Sequence, residues 1–266
     1  MSTFAGIGNL GAALGGFFNL TGWPDRPPAG PFAAYTDYVS PRFSVALVLA
    51  ALDHRRRTGE GQYIDQSQIE SSLHFLAPAL LDYTVNDRVQ ERVGNRDTQF
   101  APHGIYPTRG EDQWAALIIE TDDQWQQLCE MMEQPDLQHD TRFRTPSDRV
   151  AAQDALDAII TAWTQDRDMH EIETVLQAHG IPASAVRDIH GLYDDPQLRH
   201  RDHFVDLDHP VHGTTTVEGS RFRSGTPVEA ARIMPPLGQD TRRVLENILG
   251  YSHNRIAELE AEGVLE

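Results

Sequence analysis

The sequence predicts a mixed α/β fold in which helices dominate. Long apolar-rich segments with helical spacing alternate with short apolar runs that are typical of buried strands. The clearest helix covers residues 41–58 and ends at Gly59, and the clearest strand is the run WAALII at residues 114–119. With 266 residues, 39% of them hydrophobic, the chain can bury one sizeable core or two modest ones.

The first sixty residues predict two helices separated by a rigid loop. Residues 10–20 are small and apolar, as in a buried helix, and the three prolines of residues 21–28 break the pattern. Ser40 is expected to cap the next helix, with Pro41 at its first position. Apolar side chains cover most of that helix, so we expect it to be largely buried, with Arg55, Arg56 and Arg57 at its C-terminal dipole.

Further elements follow from hydrophobic periodicity and from capping residues. Gly180 is expected to stop a helix, and the segment after Leu192 is irregular and His-rich. The predicted elements are a strand at 62–65, a helix at 66–83 interrupted at Pro78, a helix capped by Thr121 or Asp122, antiparallel helices at 147–165 and 169–179, a strand at 181–186, β-like alternation at 214–222, a helix capped by Asp240 and a short helix after Ser252.

Composition excludes several classes of function. The formal net charge of −18 repels nucleic acid and anionic membranes, so neither is an expected partner. All 22 basic residues are arginine, which removes Schiff-base chemistry and the P-loop lysine. The single cysteine, Cys129, forbids an internal disulfide and fits a reducing compartment, so we expect a cytoplasmic protein.

The apolar N-terminal stretch is expected to be neither a signal peptide nor a membrane helix. No basic residue precedes Arg26, and Asn9 and Asn19 interrupt the apolar run. Residues 6–11 read GIGNLG, a literal G-x-G-x-x-G, but five preceding residues cannot supply the strand that a dinucleotide site needs. Close helix packing through small residues is the favoured interpretation.

The histidines offer a metal-hydrolase hypothesis. His/Asp-rich sequence occurs at residues 200–203 (HRDH), at residues 206–209 (DLDH) and at His212. No pair has the i, i+4 helical spacing with a glutamate that a zinc hydrolase needs. A solvated polar loop is favoured, and no metal is expected.

Asp37 is the candidate catalytic residue. It lies three residues before Ser40, close to the expected start of a helix. Its simplest role is to complement the positive end of the helix dipole. The same unpaired N–H groups could also receive an oxyanion during acyl transfer.

The spacing of short motifs around Asp37 resembles the family III CoA-transferases, the CaiB/BaiF family, over essentially the whole chain. The matching segments are TGWPDRPP at 21–28, AALDHR at 50–55, TGEGQ at 58–62, GN at 94–95, APHGIY at 101–106 with Trp114, GIPA at 180–183, and PPLG at 235–238 with DT at 240–241. Asp37 stands where that family has its nucleophilic aspartate.

The resemblance implies an acyl-CoA:carboxylate CoA-transferase. Asp37 would form an aspartyl-acyl anhydride and then an aspartyl-CoA thioester, with acyl-CoA and a carboxylic acid as substrates. Coenzyme A would be a substrate, and no cofactor is expected. The His–Asp pair of the superfamily's racemases falls at Ile7 and Gly8, so proton abstraction at an α-carbon is disfavoured.

Five further site residues are carried over from the family. Gly6, Ile7 and Gly8 fall near a CoA-binding segment. Gln99 and His103 are candidates for positioning the substrate acid, with an ordinary surface-loop role as the alternative for each.

The resemblance also implies a domain organisation. Residues 1–90 would form a partial large domain with the catalytic aspartate and a linker, residues 91–205 a small α/β domain, and residues 206–266 a segment that returns to the large domain. The family's N-terminal half has no counterpart here, so the fold is the C-terminal portion of the CaiB/BaiF fold. We expect a homodimer or a partner chain that supplies that half. The alternative is a non-catalytic remnant or subunit used for dimer contacts.

Overall fold

A computed structural model describes residues 6–219, 225 and 232–265. The chain divides into two compact units, Met1–Val186 and Arg187–Glu266. The domain boundaries inferred from the sequence, after residues 90 and 205, stay a prediction. Mixed α/β architecture with dominant helices is confirmed.

The first unit begins with helices and continues into a small sheet flanked by helices. Its elements in chain order are α1 (Gly8–Leu14), α2 (Phe17–Leu20), α3 (Tyr35–Thr58), α4 (Gln68–Leu73), a 3₁₀ turn (His74–Leu76), α5 (Ala77–Asn86), β1 (His103–Pro107), β2 (Trp114–Ile118), α6 (Asp122–Met131), a second 3₁₀ turn (Pro135–Gln138), α7 (Pro146–Ala151), α8 (Gln153–Thr164), α9 (Met169–Ala178) and β3 (Ala183–Ala185).

The start of α3 corrects the prediction that Ser40 caps this helix. The helix begins at Tyr35, because the Ala34 carbonyl already accepts the Asp37 N–H at 2.9 Å. Pro41 lies inside the helix and removes one backbone hydrogen bond in its second turn. Asp37 therefore lies within the first turn of α3, not before the helix.

The three strands of the first unit form an antiparallel sheet in the order β1-β2-β3. Ile105 pairs with Ala116, and Ala116 pairs with Ser184. Strand β1 was not predicted. One face of the sheet packs with α6, α8 and α9 around a core of buried residues: Ala101, Tyr106, Ala115, Leu117, Ile119, Trp125, Leu128, Cys129, Met132, Phe143, Leu156, Ile160, Trp163, Ile172, Leu176 and Ile181.

Several helix boundaries confirm the sequence-based signals. Thr121 caps α6 in a capping box with Gln124, so the cap is Thr121 and not Asp122. Gly180 follows α9 with φ of +71°, the left-handed conformation that glycine adopts most easily.

Arg149 organises this core from within. Its side chain is only 1% exposed. The guanidinium donates to the Ala101 carbonyl at 3.1 Å, to the Phe143 carbonyl at 3.2 Å and to the Asp122 carboxylate at 2.9 Å. A buried cation is tolerated only when it is paired and hydrogen-bonded, and here three segments of chain supply the partners.

Helix α3 is exposed, which corrects the prediction that it is largely buried. Thr36 is the one residue of α3 that is buried among those the structure describes. Apolar side chains that are at least 40% exposed extend along the helix: Val45, Leu47, Val48, Leu49 and Leu52. Leu10 and Leu14 of α1, predicted to be buried, are 39% and 60% exposed.

The strand predicted at residues 62–65 is absent. The described segment between α3 and α4 forms neither helix nor strand, and Tyr63 is 92% exposed. A strand needs a neighbour to satisfy its backbone groups, and none pairs with this segment within the described chain.

The second unit contains a two-stranded antiparallel sheet and short helices. Its elements are α10 (Ile189–Tyr193), α11 (Pro196–His200), β4 (Phe204–His209), β5 (Gly213–Glu218), α12 (Thr241–Asn247) and α13 (His253–Ala261). The His-rich segment is thus not a loop throughout, because its second half is strand β4. The alternation expected at 214–222 is strand up to Glu218, and residues 220–222 lie outside the described residues. No helix in the described ranges is long and apolar enough to cross a membrane.

Asp82 anchors the chain reversal after α5 and gives the fold a measurable pH dependence. Its buried carboxylate accepts hydrogen bonds from Asn86, Arg88 and Gln90 at 2.9, 2.6 and 3.0 Å. These bonds lower the pKa of Asp82 from about 3.8 to about 2. The depressed folded-state pKa stabilises the fold above about pH 4, and this contribution is lost as pH falls toward 2.

Asp82→Asn should therefore be less stable than the parent at pH 5, and the difference should shrink as pH falls to about 2.5. Urea unfolding of both proteins at the two pH values measures this. A stability difference that stays constant over this pH range contradicts the assignment.

Candidate active site around Asp37

The carboxylate of Asp37 lies directly over Gly8. A Cβ atom built on Gly8 would stand 2.7 Å from the Ala34 Cβ and 2.8 Å from the Asp37 Cγ, and nearer still to Asp37 Oδ2. Real Cβ atoms do not approach other atoms so closely. The first residue of α1 must therefore be glycine for α3 to bring Asp37 to this place.

A hydrogen-bond network connects Asp37 to two other helices. Gln68, the first residue of α4, donates through Nε2 to Asp37 Oδ1 and to Thr36 Oγ1, the latter at 3.0 Å. Thr36 is completely buried and donates its hydroxyl to the Gly8 carbonyl at 3.0 Å. Helices α1, α3 and α4 thus meet at the candidate nucleophile.

A second glutamine continues the contact between α3 and α4. Gln66 donates to the Ser40 carbonyl at 3.1 Å and to Ser71 Oγ at 2.8 Å, and its carbonyl oxygen accepts from Ser44 Oγ at 2.7 Å. These bonds align α4 against α3. None of them reaches Asp37.

Of the other predicted site residues, Gly8 lies against Asp37. Nothing lies within 4 Å of a Cβ built on Gly6, and Ile7 is 68% exposed as the N-cap of α1. Gln99 is exposed, and its backbone N–H bonds to Asp97. No hydrogen bond among the described residues connects Gln99 or His103 to Asp37, so their substrate roles stay predictions.

His103 lines a cavity instead. His103, Asn95 and Arg96 line two adjoining spaces. One is a groove of about 630 Å³ along the sheet, and the other is a cavity of about 520 Å³ beside α8. His103 Nδ1 lies 2.6 Å from the Asn95 carbonyl, which can only accept, so Nδ1 carries a proton and Nε2 of the neutral ring is left as an acceptor. Asp37 lines neither cavity.

The wall of the smaller cavity is negatively charged. Arg96 contacts both Asp154 at 2.5 Å and Asp157 at 2.8 Å, and Tyr106 donates to Asp157 at 2.8 Å. Burial, reinforced by Asp157, raises the pKa of Tyr106, and the hydrogen bond that Arg96 donates to Asp154 raises the pKa of Arg96. Both groups therefore stay protonated at neutral pH. Because the two carboxylates of Asp154 and Asp157 face the one guanidinium of Arg96, this wall does not suit an anionic ligand.

Two sequence motifs noted above are neighbours in space. The Gly94 N–H donates to the Gly22 carbonyl at 2.9 Å, and Gly94 has φ of +66°. The Trp23 ring packs so closely on Gly94 that a Cβ there would lie 3.1 Å from Trp23 Cδ2, with two other ring atoms nearer. The loop before α3 is thereby fixed to the segment that enters the small sheet.

Metal ligation finds no support in the described ranges, where no three His, Cys, Asp or Glu side chains converge. His209 Nδ1 instead accepts the backbone N–H groups of Val211 and His212 at 3.0 and 3.1 Å, which stabilises the β4–β5 turn.

Sequence reasoning missed Gln68 and Thr36. Gln68 lies 31 residues after Asp37, and no local spacing rule connects them. Thr36 was adjacent to the candidate but carried no signal that it is completely buried.

The sequence profile of CoA-transferase family III matches residues 1–241. The chain belongs to this family. A crystal structure of a CaiB/BaiF family protein from Brucella suis has a TM-score of 0.69 at 27% identity, covering 79% of this chain and 58% of that chain.

Two curated relatives are similar over nearly the whole chain. Succinyl-CoA–D-citramalate CoA-transferase of Chloroflexus aurantiacus is 30% identical over 262 residues, which are 98% of this chain and 65% of that protein. Succinate–glutarate CoA-transferase of Agrobacterium fabrum is 29% identical over 248 residues, which are 92% of this chain and 61% of that protein. The chain thus spans less than two thirds of the length of these relatives.

The close contact under Asp37 can be tested with a matched pair of glycine substitutions. Gly8→Ala should lower the free energy of unfolding by about 1–3 kcal/mol, because the new methyl group overpacks the α1–α3 contact. Gly6→Ala, which meets open space, should change it by less than about 0.5 kcal/mol. Denaturant unfolding measures the free energy of unfolding of both variants. Equal values for the two would show that α1 does not pack on α3 in this way.

Proposed function

We propose that this chain carries the nucleophile of an acyl-CoA:carboxylate CoA-transferase, and that Asp37 is that nucleophile. The observation behind the proposal is the arrangement at the start of α3, in a chain of CoA-transferase family III. An exposed carboxylate is held there by Gln68 and packed over Gly8, a position where no larger residue fits.

The chemistry requires only a carboxylate and the two substrates. One Asp37 oxygen attacks the thioester carbonyl carbon, the C–S bond breaks, and CoA leaves as the thiolate. The thiolate then attacks Asp37 Cγ, and cleavage of the anhydride C–O bond releases the first carboxylic acid and leaves an aspartyl-CoA thioester. The acceptor carboxylate reverses these two steps and leaves as the new acyl-CoA.

The relatives suggest the first substrates to test. Their names include succinyl-CoA or succinate together with D-citramalate or glutarate, and all of these acids are dicarboxylic. We therefore propose succinyl-CoA as donor and a dicarboxylate of four to six carbons as acceptor. No cofactor other than CoA as substrate is part of the proposal.

The proposed active assembly contains more protein than one copy of the described residues. Among these residues, Ala12 and Phe17 are the buried hydrophobic side chains before residue 100, whereas the apolar side chains of α3 are exposed. Exposed apolar patches of this kind mark interaction surfaces. A second copy, or another polypeptide segment that covers α3, is the proposed partner. A non-catalytic subunit that uses the same surface for dimer contacts is the alternative function.

Asp37→Asn should abolish transfer, because an amide cannot form the anhydride. Incubation with succinyl-CoA followed by hydroxylamine or borohydride should mark Asp37 in the parent protein, as a mass change on its peptide. Asp53→Asn is the matched control, since Asp53 is an exposed carboxylate on the same helix that pairs with Arg57 and not with Gln68.

Normal turnover by Asp37→Asn would refute the covalent mechanism. Absence of any trapped adduct in the assembled parent, together with inactivity, would favour the non-catalytic subunit.

The exposed face of α3 predicts association. The parent should sediment as a dimer or larger species, or bind the dye ANS, because Val45, Val48, Leu49 and Leu52 lack cover. Leu49→Asp should weaken association or dye binding, whereas Val175→Asp, at an exposed position on α9, should not. A compact monomer that does not bind the dye would mean that no partner is needed.

A further inference from the structure

The donors and acceptors around Gln68 fix the orientation of its side-chain amide. Thr36 donates its one hydroxyl hydrogen to the Gly8 carbonyl, so Thr36 Oγ1 can only accept from Gln68. The ionised Asp37 carboxylate is likewise only an acceptor. The Gln68 amide must therefore direct its NH₂ group at both partners, one hydrogen to each.

The two oxygens of Asp37 are consequently not equivalent. Oδ1 accepts from Gln68, while Oδ2 accepts no hydrogen bond from the described residues and lies against Gly8. Rotation about the Cβ–Cγ bond is opposed on one side by the amide and on the other by the α1 backbone. Orientation of a nucleophile before reaction removes part of the entropic barrier to attack.

We infer that Gln68 is a positioning residue for Asp37, an inference that rests on the proposed function. Gln68 holds Oδ1 so that Oδ2 is the attacking oxygen. In the anhydride Oδ1 remains the carbonyl oxygen, and attack by the CoA thiolate on Cγ places negative charge on it. The Gln68 N–H lies where it can stabilise that charge, and cleavage of the Cγ–Oδ2 bond then releases the acid.

A purely structural role for Gln68 has a close internal comparison in Gln66. Both glutamines are half-buried and connect α3 with α4 through side-chain hydrogen bonds. Gln66 bonds to Ser40, Ser44 and Ser71, and no hydrogen bond of the described residues joins it to Asp37. Substitution of either one weakens the same helix contact, but only Gln68 touches the nucleophile.

The test compares Gln68→Leu with Gln66→Leu in the assembled enzyme, using succinyl-CoA and glutarate as substrates. Both variants should lose similar stability in thermal unfolding. Gln68→Leu should lower kcat about 10- to 100-fold with KM for succinyl-CoA changed less than about twofold, because the nucleophile is misoriented and not the substrate. Gln66→Leu should keep kcat within about twofold of the parent. Gln68→Met, with an unbranched side chain of similar length, replaces Gln68→Leu if the latter does not fold.

Each outcome is decisive. An unchanged kcat in Gln68→Leu, with Asp37 still trapped as an adduct, overturns the positioning role and leaves the proposed function intact. Equal loss of kcat in both variants assigns the effect to the helix contact and also overturns it. An active parent in which Asp37 is never trapped and Asp37→Asn turns over normally overturns both proposals.

Discussion

The contact of Asp37 with Gly8 is the constraint on which the candidate site depends. At this point α1 and α3 approach until only a hydrogen atom fits between the Gly8 backbone and the carboxylate. The approach is stabilised by the buried hydroxyl of Thr36, which bonds to the Gly8 carbonyl at 3.0 Å. Since Thr36 and Asp37 are adjacent in the first turn, the bond that fixes the backbone also fixes the position of the carboxylate. Gln68 adds the third helix and sets the carboxylate's rotation.

The three-stranded sheet of the first unit and the helices around it are stabilised by a different kind of constraint. There the structure depends on a continuous apolar core and on one buried cation, Arg149, which connects the segment before β1, the loop before α7 and the start of α6. Loss of a partner would leave a buried charge unpaired, which is among the costliest defects in a protein. This part of the first unit therefore has its own core, whereas the described residues before 92 have little buried apolar area.

Much of this fold could be predicted from local sequence, and the errors have physical causes. Thr121 and Gly180 were identified because capping is a local interaction. The start of α3 was placed six residues late, because Ser40-Pro41 is a strong helix-start signal that the chain overrides with a turn begun at Ala34. Strand β4 was missed although Val205, Leu207 and His209 alternate with exposed Asp206 and Asp208, a period-two pattern obscured by its histidine and aspartate content.

The candidate site was likewise predictable only where the signal is local in the sequence. Asp37 could be found because short motifs lie on both sides of it at fixed spacing, and the covalent role assigned to it stays a prediction. Gln68 could not be found, since its contact with Asp37 joins residues 31 positions apart and only the packing of α4 on α3 brings them together. Gln99 and His103 were chosen for their position in a loop, and no described contact joins them to Asp37.

The packing of α3 explains why its burial was predicted wrongly. Thr36, Ser40 and Ser44 recur every four residues and form the stripe that meets Gln66 and Gln68, so the face turned toward α4 is polar. The exposed apolar residues of α3, from Val45 to Leu52, follow this stripe along the chain. Exposed apolar residues in such number mark an interaction surface. The prediction that this helix is largely buried was wrong for the described chain, and the proposed partner would supply the cover that the described chain does not.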